Sequence, residues 1–319
     1  MDKYYDSICQ AIGRTPMVEM SRICALSNVE GRLFGKLEYL NPGFSKKDRI
    51  ALGIVILAKE KGELAPGQTV VELTSGNTGT GLSIVCAAMG HPFVAVMSRG
   101  NSTERARMMR ALGAEVVLVD QAKGSVPGQV SGEDLALVEM EAQRLTRELG
   151  AFRADQFNHI GNTIAHEQTG REILEQMDGD VDVFLDFGGT GGSFVGVARA
   201  LRAQKHDVRC YYVEPASARY LKTGAVQNAS HRIQGGGYSM DLPLLEPELV
   251  TDYVGVTDEE AIEMARLLAK TEGIFAGFSS GANVAAALSL LRGPERGSRV
   301  ALLINDSGLK YLSTDLYEE

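Results

Sequence analysis

The chain has 319 residues, of which 44% are hydrophobic and 23% charged, values ordinary for a globular protein with a sizeable core. Its formal net charge of −9 argues against a nucleic-acid partner, because a phosphate-binding surface needs a basic excess. The start of the chain has no apolar core and so does not resemble a signal peptide, and no apolar run approaches the roughly 20 residues that span a bilayer.

The cysteines and histidines also indicate which classes of site to expect. The four cysteines lie far apart and never form a C-x-x-C pair, a pattern typical of reduced core thiols in a cytoplasmic protein. The five histidines show no H-E-x-x-H or similar ligand spacing. The sequence therefore predicts a cytoplasmic protein with no metal site and no membrane partner.

The first half of the chain alternates short apolar runs with amphipathic stretches. Strands are predicted over residues 32–37, 69–73, 93–97 and 115–119. Helices are predicted from the lysine pair at 46–47 to about residue 62, and then over about 80–89, 102–112 and 135–149. Because strands and helices alternate at these lengths, we expect an α/β fold with a parallel, helix-covered sheet.

The second half repeats the alternation without repeating the sequence. Composition shifts at residues 150–155, the predicted crossover between two domains. Helices are predicted over 163–176, 194–203, 259–271 and 280–291, and strands over 181–187, 209–213 and 300–304. We predict one smaller domain over residues 40–150 and one larger domain formed by residues 1–39 and 151–319.

Two lysines, Lys46 and Lys47, stand at the start of a predicted helix. The helix dipole favours anions there, and the same field favours a neutral amine, which is a nucleophile and a base. On this stretch alone, two solvated and merely tolerated lysines are the simpler interpretation.

The segment TSGNTG follows the predicted strand 69–73 and leads into a helix. Backbone N–H groups at such a position bind anions. Four side-chain donors, from Thr74, Ser75, Asn77 and Thr78, exceed what a single N-cap needs, and they suit a carboxylate. An ordinary capping sequence is the alternative.

A second loop, GGTGGS over residues 188–193, also joins a strand to a helix. Its glycines let the backbone approach phosphate oxygens, and the hydroxyls of Thr190 and Ser193 add donors. It matches neither the P-loop nor the dinucleotide fingerprint. A glycine-rich turn required for helix–strand packing remains an equal alternative.

Two further polar points are less specific. Ser307 lies beyond the last predicted strand in a D-S-G turn that turn chemistry alone explains. The run GGG at residues 235–237 is either a flexible segment beside a cleft or a surface turn.

Taken together, these stretches closely resemble the cysteine synthase and cystathionine β-synthase family, the fold-type II pyridoxal-phosphate enzymes. Residues 41–49, NPGFSKKDR, resemble the family's N-P-x-x-S-x-K-D-R. Residues 74–79 match its T-S-G-N-T-G, and residues 189–193 are similar to its G-T-G-G-T with serine last. Residues 272–282 and 306–314 also resemble family stretches, so the similarity extends from about residue 12 to 314.

The resemblance implies a tryptophan synthase β-like fold with the cofactor in the cleft between two domains. Lys47 would hold pyridoxal 5'-phosphate as a Schiff base and act as general base, whereas Lys46 falls on a variable position and is expected to be solvated. The resemblance also implies which residues bind the cofactor: Gly189, Thr190, Gly191, Gly192 and Ser193 its phosphate, Asn77 its ring hydroxyl, and Ser307 its ring nitrogen. Those expected to bind the substrate are Thr74, Ser75, Thr78, Gln156, Gly235, Tyr238 and Asp241.

The implied activity is β-replacement through an aminoacrylate, with O-acetylserine and sulfide giving cysteine, and the implied assembly is a homodimer. The stretch that ends in Tyr238 resembles the serine-using cystathionine β-synthases, and Asp241 adds an acid that, with Tyr238, would help a poorer leaving group depart or activate water. They suggest an alternative in which serine or cysteine is consumed to form cystathionine, lanthionine or hydrogen sulfide. A dehydratase and a non-catalytic binding protein on the same fold are further alternatives.

Overall fold

A computed structural model of the chain describes residues 4–74, 76–125, 130, 132–228 and 231–318. The chain folds into two compact units. The smaller comprises Met1–Ile12 and Lys47–Asn162, and the larger comprises Gly13–Lys46 and Thr163–Glu319. The domain boundaries expected from the sequence, at residues 40 and 150, stay a prediction.

Strands and helices alternate along most of the chain. The strands are β1 (Met17–Glu19), β2 (Arg32–Leu37), β3 (Val70–Leu73), β4 (Phe93–Ser98), β5 (Glu115–Val119), β6 (Phe152–Arg153), β7 (Val183–Phe187), β8 (Arg209–Pro215), β9 (Asp252–Val256) and β10 (Arg299–Ile304). The α-helices are α1 (Ser21–Leu26), α2 (Lys47–Glu60), α3 (Asn77–Met89), α4 (Thr103–Ala111), α5 (Gly132–Glu148), α6 (Gly161–Gln176), α7 (Gly192–Gln204), α8 (Tyr220–Thr223), α9 (Asp258–Glu272) and α10 (Phe278–Arg292). In the part of the chain described, none of these helices is both long and apolar enough to cross a membrane.

The smaller unit is built on a parallel four-stranded sheet in the order β5-β4-β3-β6. Successive residues of β4 point to opposite faces. Phe93 and Ala95 therefore pack with the core of α2, α3 and α4, while Val94 and Val96 pack against α5. Both faces of the sheet are covered by helices, which explains why its strands are nearly continuous apolar runs.

The larger unit contains a six-stranded sheet in the order β1-β2-β10-β7-β8-β9. Only the β1–β2 pair is antiparallel. One face packs on α1, α9 and α10 through side chains such as Leu185 and Leu302. The other packs on α6 and α7 through Phe184 and Leu303. The predicted α/β class, with mostly parallel, helix-covered sheets, is confirmed.

Several element boundaries differ from the prediction. Helix α3 begins at Asn77 rather than near residue 80, and α7 begins at Gly192 rather than at 194, so part of each polar loop forms the first helical turn. The predicted crossover at 150–155 contains β6, which pairs with β3. Strands β1 and β9 were not predicted, because both are short, half-exposed edge strands with weak alternation.

The packing of α10 on α9 gives a first testable prediction. A Cβ at Gly281 would lie 2.0 Å from the carbonyl oxygen of Ala261, so the two helix backbones approach closely there. We expect Gly281→Ala to lower the thermal midpoint by roughly 3–10 °C, because overpacking typically costs about 1–3 kcal/mol. Ser289→Ala, on the exposed side of the same helix, serves as the control and should change little. Equal midpoints for the two variants would contradict the close approach.

Candidate active site

The backbone leading to Lys47 is held by the turn that follows β10. The Lys46 N–H donates to the Asn305 carbonyl oxygen at 2.9 Å, and the Ser307 N–H donates to the Phe44 carbonyl oxygen at 3.1 Å. Phe44 adopts a left-handed conformation with φ of 63°. Bonds between residues more than 250 positions apart therefore fix the segment that enters helix α2.

Lys46 is buried, and the expectation that it is solvated is wrong. The residue is 5% exposed, and its Nζ donates to both carboxylate oxygens of Asp186, at 2.8 and 2.7 Å. Asp186 is fully buried in the otherwise apolar strand β7. A carboxylate in such a place needs a cation, and Lys46 supplies it.

Lys47 is the first residue of α2 and is half-buried. At the N-terminus of a helix, the dipole disfavours an ammonium and so favours the neutral, nucleophilic amine. Because Lys46 binds Asp186, the two neighbouring lysines have different surroundings. The sequence distinguished Lys46 from Lys47 only by their positions in the family motif, whereas the structure distinguishes them by the partner of Lys46.

The segment from Thr74 to Gly79 forms a polar loop and the first turn of α3. The Gly79 N–H donates to Thr74 Oγ1 at 2.8 Å, and Thr78 Oγ1 donates to Gln156 Oε1 at 2.6 Å. Asn77 is the first residue of the helix. Thr74, Thr78 and Gln156 thus lie together within the smaller unit, whereas Ser75 lies outside the described residues.

Glu72 lies directly beneath this loop and was not identified from the sequence. Its Oε2 accepts from the Asp155 N–H at 2.7 Å, and its Oε1 accepts from Gln156 Nε2 at 3.3 Å. Complete burial raises the pKa of Glu72 to about 7, and this effect outweighs Arg153, whose Nε is 3.4 Å from the carboxylate and lowers the pKa. The signal available in the sequence was an acidic residue inside the apolar strand β3.

The buried glycine loop after β7 combines close packing with the backbone donors of a helix start. A Cβ at Gly188 would lie 1.9 Å from the Tyr212 hydroxyl, so packing alone requires this glycine. Gly191 adopts a left-handed conformation with φ of 85°, and α7 starts at the next residue. The first N–H groups of a helix have no intrahelical acceptor and are available to an anion. Packing therefore explains Gly188, whereas phosphate binding by the residues that follow it stays a prediction.

The run at residues 235–237 packs against the same loop. The Gly237 N–H donates to the Gly188 carbonyl oxygen at 2.9 Å, and a Cβ at Gly236 would lie 2.0 Å from that oxygen. Gly235 has a positive φ of 97°. A surface turn does not describe this segment, because its backbone is bound to the start of the glycine loop.

Tyr238 and Gly189 line one small cavity within the larger unit, with a volume of about 10 Å³. That volume admits about one water molecule. Asp241 lies nearby in sequence but is exposed, and one of its carboxylate oxygens accepts from the Tyr220 hydroxyl at 3.3 Å. The structure thus brings Tyr238 to the glycine loop and leaves Asp241 on the surface.

Ser307 caps the short 3-10 helix Gly308–Tyr311. Its Oγ accepts from the Leu309 N–H at 3.3 Å, and the residue is 5% exposed. As an acceptor in this bond, the hydroxyl still has its hydrogen to donate. Turn chemistry and a role in binding are compatible at this position.

Comparison with known proteins identifies the family. The chain matches the family described as "Pyridoxal-phosphate dependent enzyme" over residues 8–306. It is 38% identical to a cysteine synthase of Staphylococcus aureus over 317 residues, which cover 99% of this chain and 98% of the relative. It is also 38% identical to an O-ureido-L-serine synthase of Streptomyces lavendulae over 98% of this chain and 93% of the relative. A solved structure of a hydrogen sulfide-producing enzyme from Fusobacterium nucleatum superposes with a TM-score of 0.89 at 34% identity, covering 98% of this chain and 99% of that one.

The burial of Glu72 predicts a pH-dependent stability. Between pH 4.5, the usual pKa, and about 7, the folded state holds the Glu72 proton while the unfolded state has released it. Stability from this group is therefore complete below pH 4.5 and is lost as the pH rises to about 7. Glu72→Gln removes the titration, so the thermal midpoint of the wild type should fall relative to the variant across this window and then stay level. A midpoint difference that does not change with pH would contradict the raised pKa.

Proposed function

Because the chain belongs to the cysteine synthase family of pyridoxal-phosphate-dependent β-replacement enzymes, we propose that it makes cysteine from O-acetylserine and sulfide. The choice of substrates rests on similarity to the cysteine synthase of Staphylococcus aureus along almost the whole chain. Membership in this family of enzymes sets aside the alternative of a non-catalytic binding protein. A homodimer and a cytoplasmic location stay predictions.

One observation supports Lys47, rather than its neighbour, as the residue that holds the cofactor. Lys46 Nζ donates to both oxygens of the buried Asp186, so this side chain is already bound to a partner within the protein. Lys47 begins helix α2, where the dipole favours the neutral amine. We therefore assign the covalent bond to the cofactor to Lys47.

The donors of the larger unit fit the remaining parts of the cofactor. Residues 189–193 follow the parallel strand β7 and lead into a helix of 13 residues, a combination suited to a phosphate monoester. Ser307, a neutral residue with a hydroxyl hydrogen to donate, suits a ring nitrogen that is not held protonated. Asn77, a residue of the smaller unit, is the one we assign to the ring hydroxyl.

The bound cofactor supplies an electron sink for the electrons of the substrate's broken Cα–H bond. After the substrate amine has displaced Lys47 from the cofactor, Lys47 Nζ would accept the α-proton. Thr74 and Thr78, with Ser75 and Gln156, would hold the substrate carboxylate, which replaces Gln156 Oε1 as the acceptor of the Thr78 hydroxyl. Fixing the carboxylate orients the Cα–H bond toward the base and so lowers the entropy cost of proton transfer.

A second candidate reaction uses serine or cysteine and releases water or hydrogen sulfide. Tyr238 and Gly189 line the same small cavity, so Tyr238 lies near the loop assigned to the cofactor phosphate. The relative from Fusobacterium nucleatum is described as hydrogen sulfide-producing, and the one from Streptomyces lavendulae as an O-ureido-L-serine synthase. Gly235, Tyr238 and Asp241 are the residues we assign to this choice of leaving group and nucleophile.

Replacement of Lys47 tests the proposed function. Lys47→Ala should abolish the absorbance band that covalently bound cofactor gives near the edge of the visible range. It should also lower the turnover of O-acetylserine with sulfide by about 10³-fold or more, because the general base is lost as well. Lys59→Ala, at the exposed end of the same helix, is the matched control and should keep both properties. A Lys47→Ala protein that keeps the band and the turnover would refute the assignment.

Comparing the turnover of serine, cysteine and O-acetylserine tests the second candidate reaction. If Asp241 assists a poor leaving group, Asp241→Asn should lower turnover of serine and cysteine about tenfold more than turnover of O-acetylserine, whose acetate leaves unaided. Tyr220→Phe removes the hydrogen bond to Asp241 and keeps the charge of Asp241. This variant therefore distinguishes an effect of the carboxylate itself from an effect of its position. Unchanged ratios among the three substrates in Asp241→Asn would rule out this role.

A further inference from the structure

A single buried carboxylate joins four parts of the larger unit. Asp186 of β7 accepts from Lys46 Nζ at 2.8 and 2.7 Å, and from Ser193 Oγ of the glycine loop at 2.6 Å. Asn283 Nδ2 of α10 donates to it at 3.3 Å and to the Leu303 carbonyl oxygen of β10 at 2.8 Å. All of these side chains are buried.

We propose that the Lys46–Asp186 ion pair is a positioning device for the cofactor phosphate, an inference that rests on the function proposed above. Asp186 fixes the Ser193 side chain at the start of α7, and Lys46 cancels the negative charge that Asp186 would otherwise place behind the phosphate. The pair also ties the residue before Lys47 to the phosphate loop.

The direction of the Ser193 hydrogen bond gives this role a specific form. Its hydroxyl hydrogen points to Asp186, since a paired carboxylate can only accept. The same hydrogen cannot also be donated to a phosphate. Ser193 would therefore donate its backbone N–H to the phosphate, while its hydroxyl stays bonded to Asp186.

Charge balance explains why Asp186 requires Lys46 at this position. The Ser193 Oγ–Asp186 distance of 2.6 Å places the carboxylate only one side chain away from the loop assigned to a dianion. An unpaired carboxylate there would repel the phosphate with little screening, because the surroundings are buried. With Lys46 present, the base of the loop is neutral.

Fold stability alone gives no reason to keep such a pair. Replacing a buried ion pair by uncharged residues is often neutral for stability or even stabilising, whereas removing one partner leaves an uncompensated charge. This asymmetry makes a double-variant cycle informative. If the pair acts on the phosphate, its loss should weaken the binding only of a ligand that carries a phosphate group.

The test uses the full chain stripped of cofactor and compares the dissociation constants of pyridoxal phosphate and of pyridoxal, which lacks the phosphate. Lys46→Met should weaken pyridoxal phosphate by about tenfold or more and leave pyridoxal nearly unchanged, because an unpaired Asp186 repels only the phosphate. Asp186→Asn removes only the negative charge and leaves an amide oxygen that can still accept from Ser193 Oγ, so it should bind pyridoxal phosphate at least as tightly as the wild type. The double variant, with neither charge, should bind pyridoxal phosphate nearly as tightly as the wild type.

Other outcomes would overturn the inference. If Lys46→Met weakens both ligands equally, or if the double variant binds as poorly as the single, the pair has only a structural role. Should Lys46→Met fail to fold, Asp186→Asn and the double variant still decide, since a tenfold loss of pyridoxal phosphate in either contradicts the charge argument. A wild-type chain that binds neither ligand would refute the proposed function instead.

Discussion

The larger unit depends on a cation that neutralises the buried carboxylate of Asp186, which lies in the otherwise apolar strand β7. Strand β7 is buried on both faces, and Asp186 within it would be costly without a cation. Lys46 meets this requirement with two short hydrogen bonds. Lys46 is also the residue immediately before Lys47 in the chain, where helix α2 begins.

A comparable arrangement exists in the smaller unit. Glu72 is buried in β3, and its oxygens accept from the Asp155 N–H and from Gln156 Nε2. With Thr78 bonded to Gln156 Oε1, both ends of this amide are held, so the Gln156 side chain is oriented before any substrate binds. In each unit, a buried acid in a parallel strand holds groups that we assign to binding. The two acids therefore act through the residues they position.

The two loops that we propose bind anions could be located from the sequence, because the pattern that marks them is local. Strand, polar turn and helix occur within a few residues at 70–89 and at 183–204, so the pattern is visible without tertiary information. Lys46 was wrongly expected in solvent, because its partner lies 140 residues away. The 235–237 run stayed undecided for the same reason, since the bond from Gly237 to Gly188 crosses from one loop to another.

The amino-acid sequence by itself determined the α/β class, the family and the residue types at each loop, because all three depend on short-range patterns and on motif order. Only the tertiary structure showed which of the two lysines forms an ion pair with a buried acid. It also showed that packing requires Gly188, and that Glu72 accepts a hydrogen bond from Gln156. These outcomes depend on burial and on pairs of groups distant in the chain. The free energy of a charge is determined by such surroundings, which no local sequence window contains.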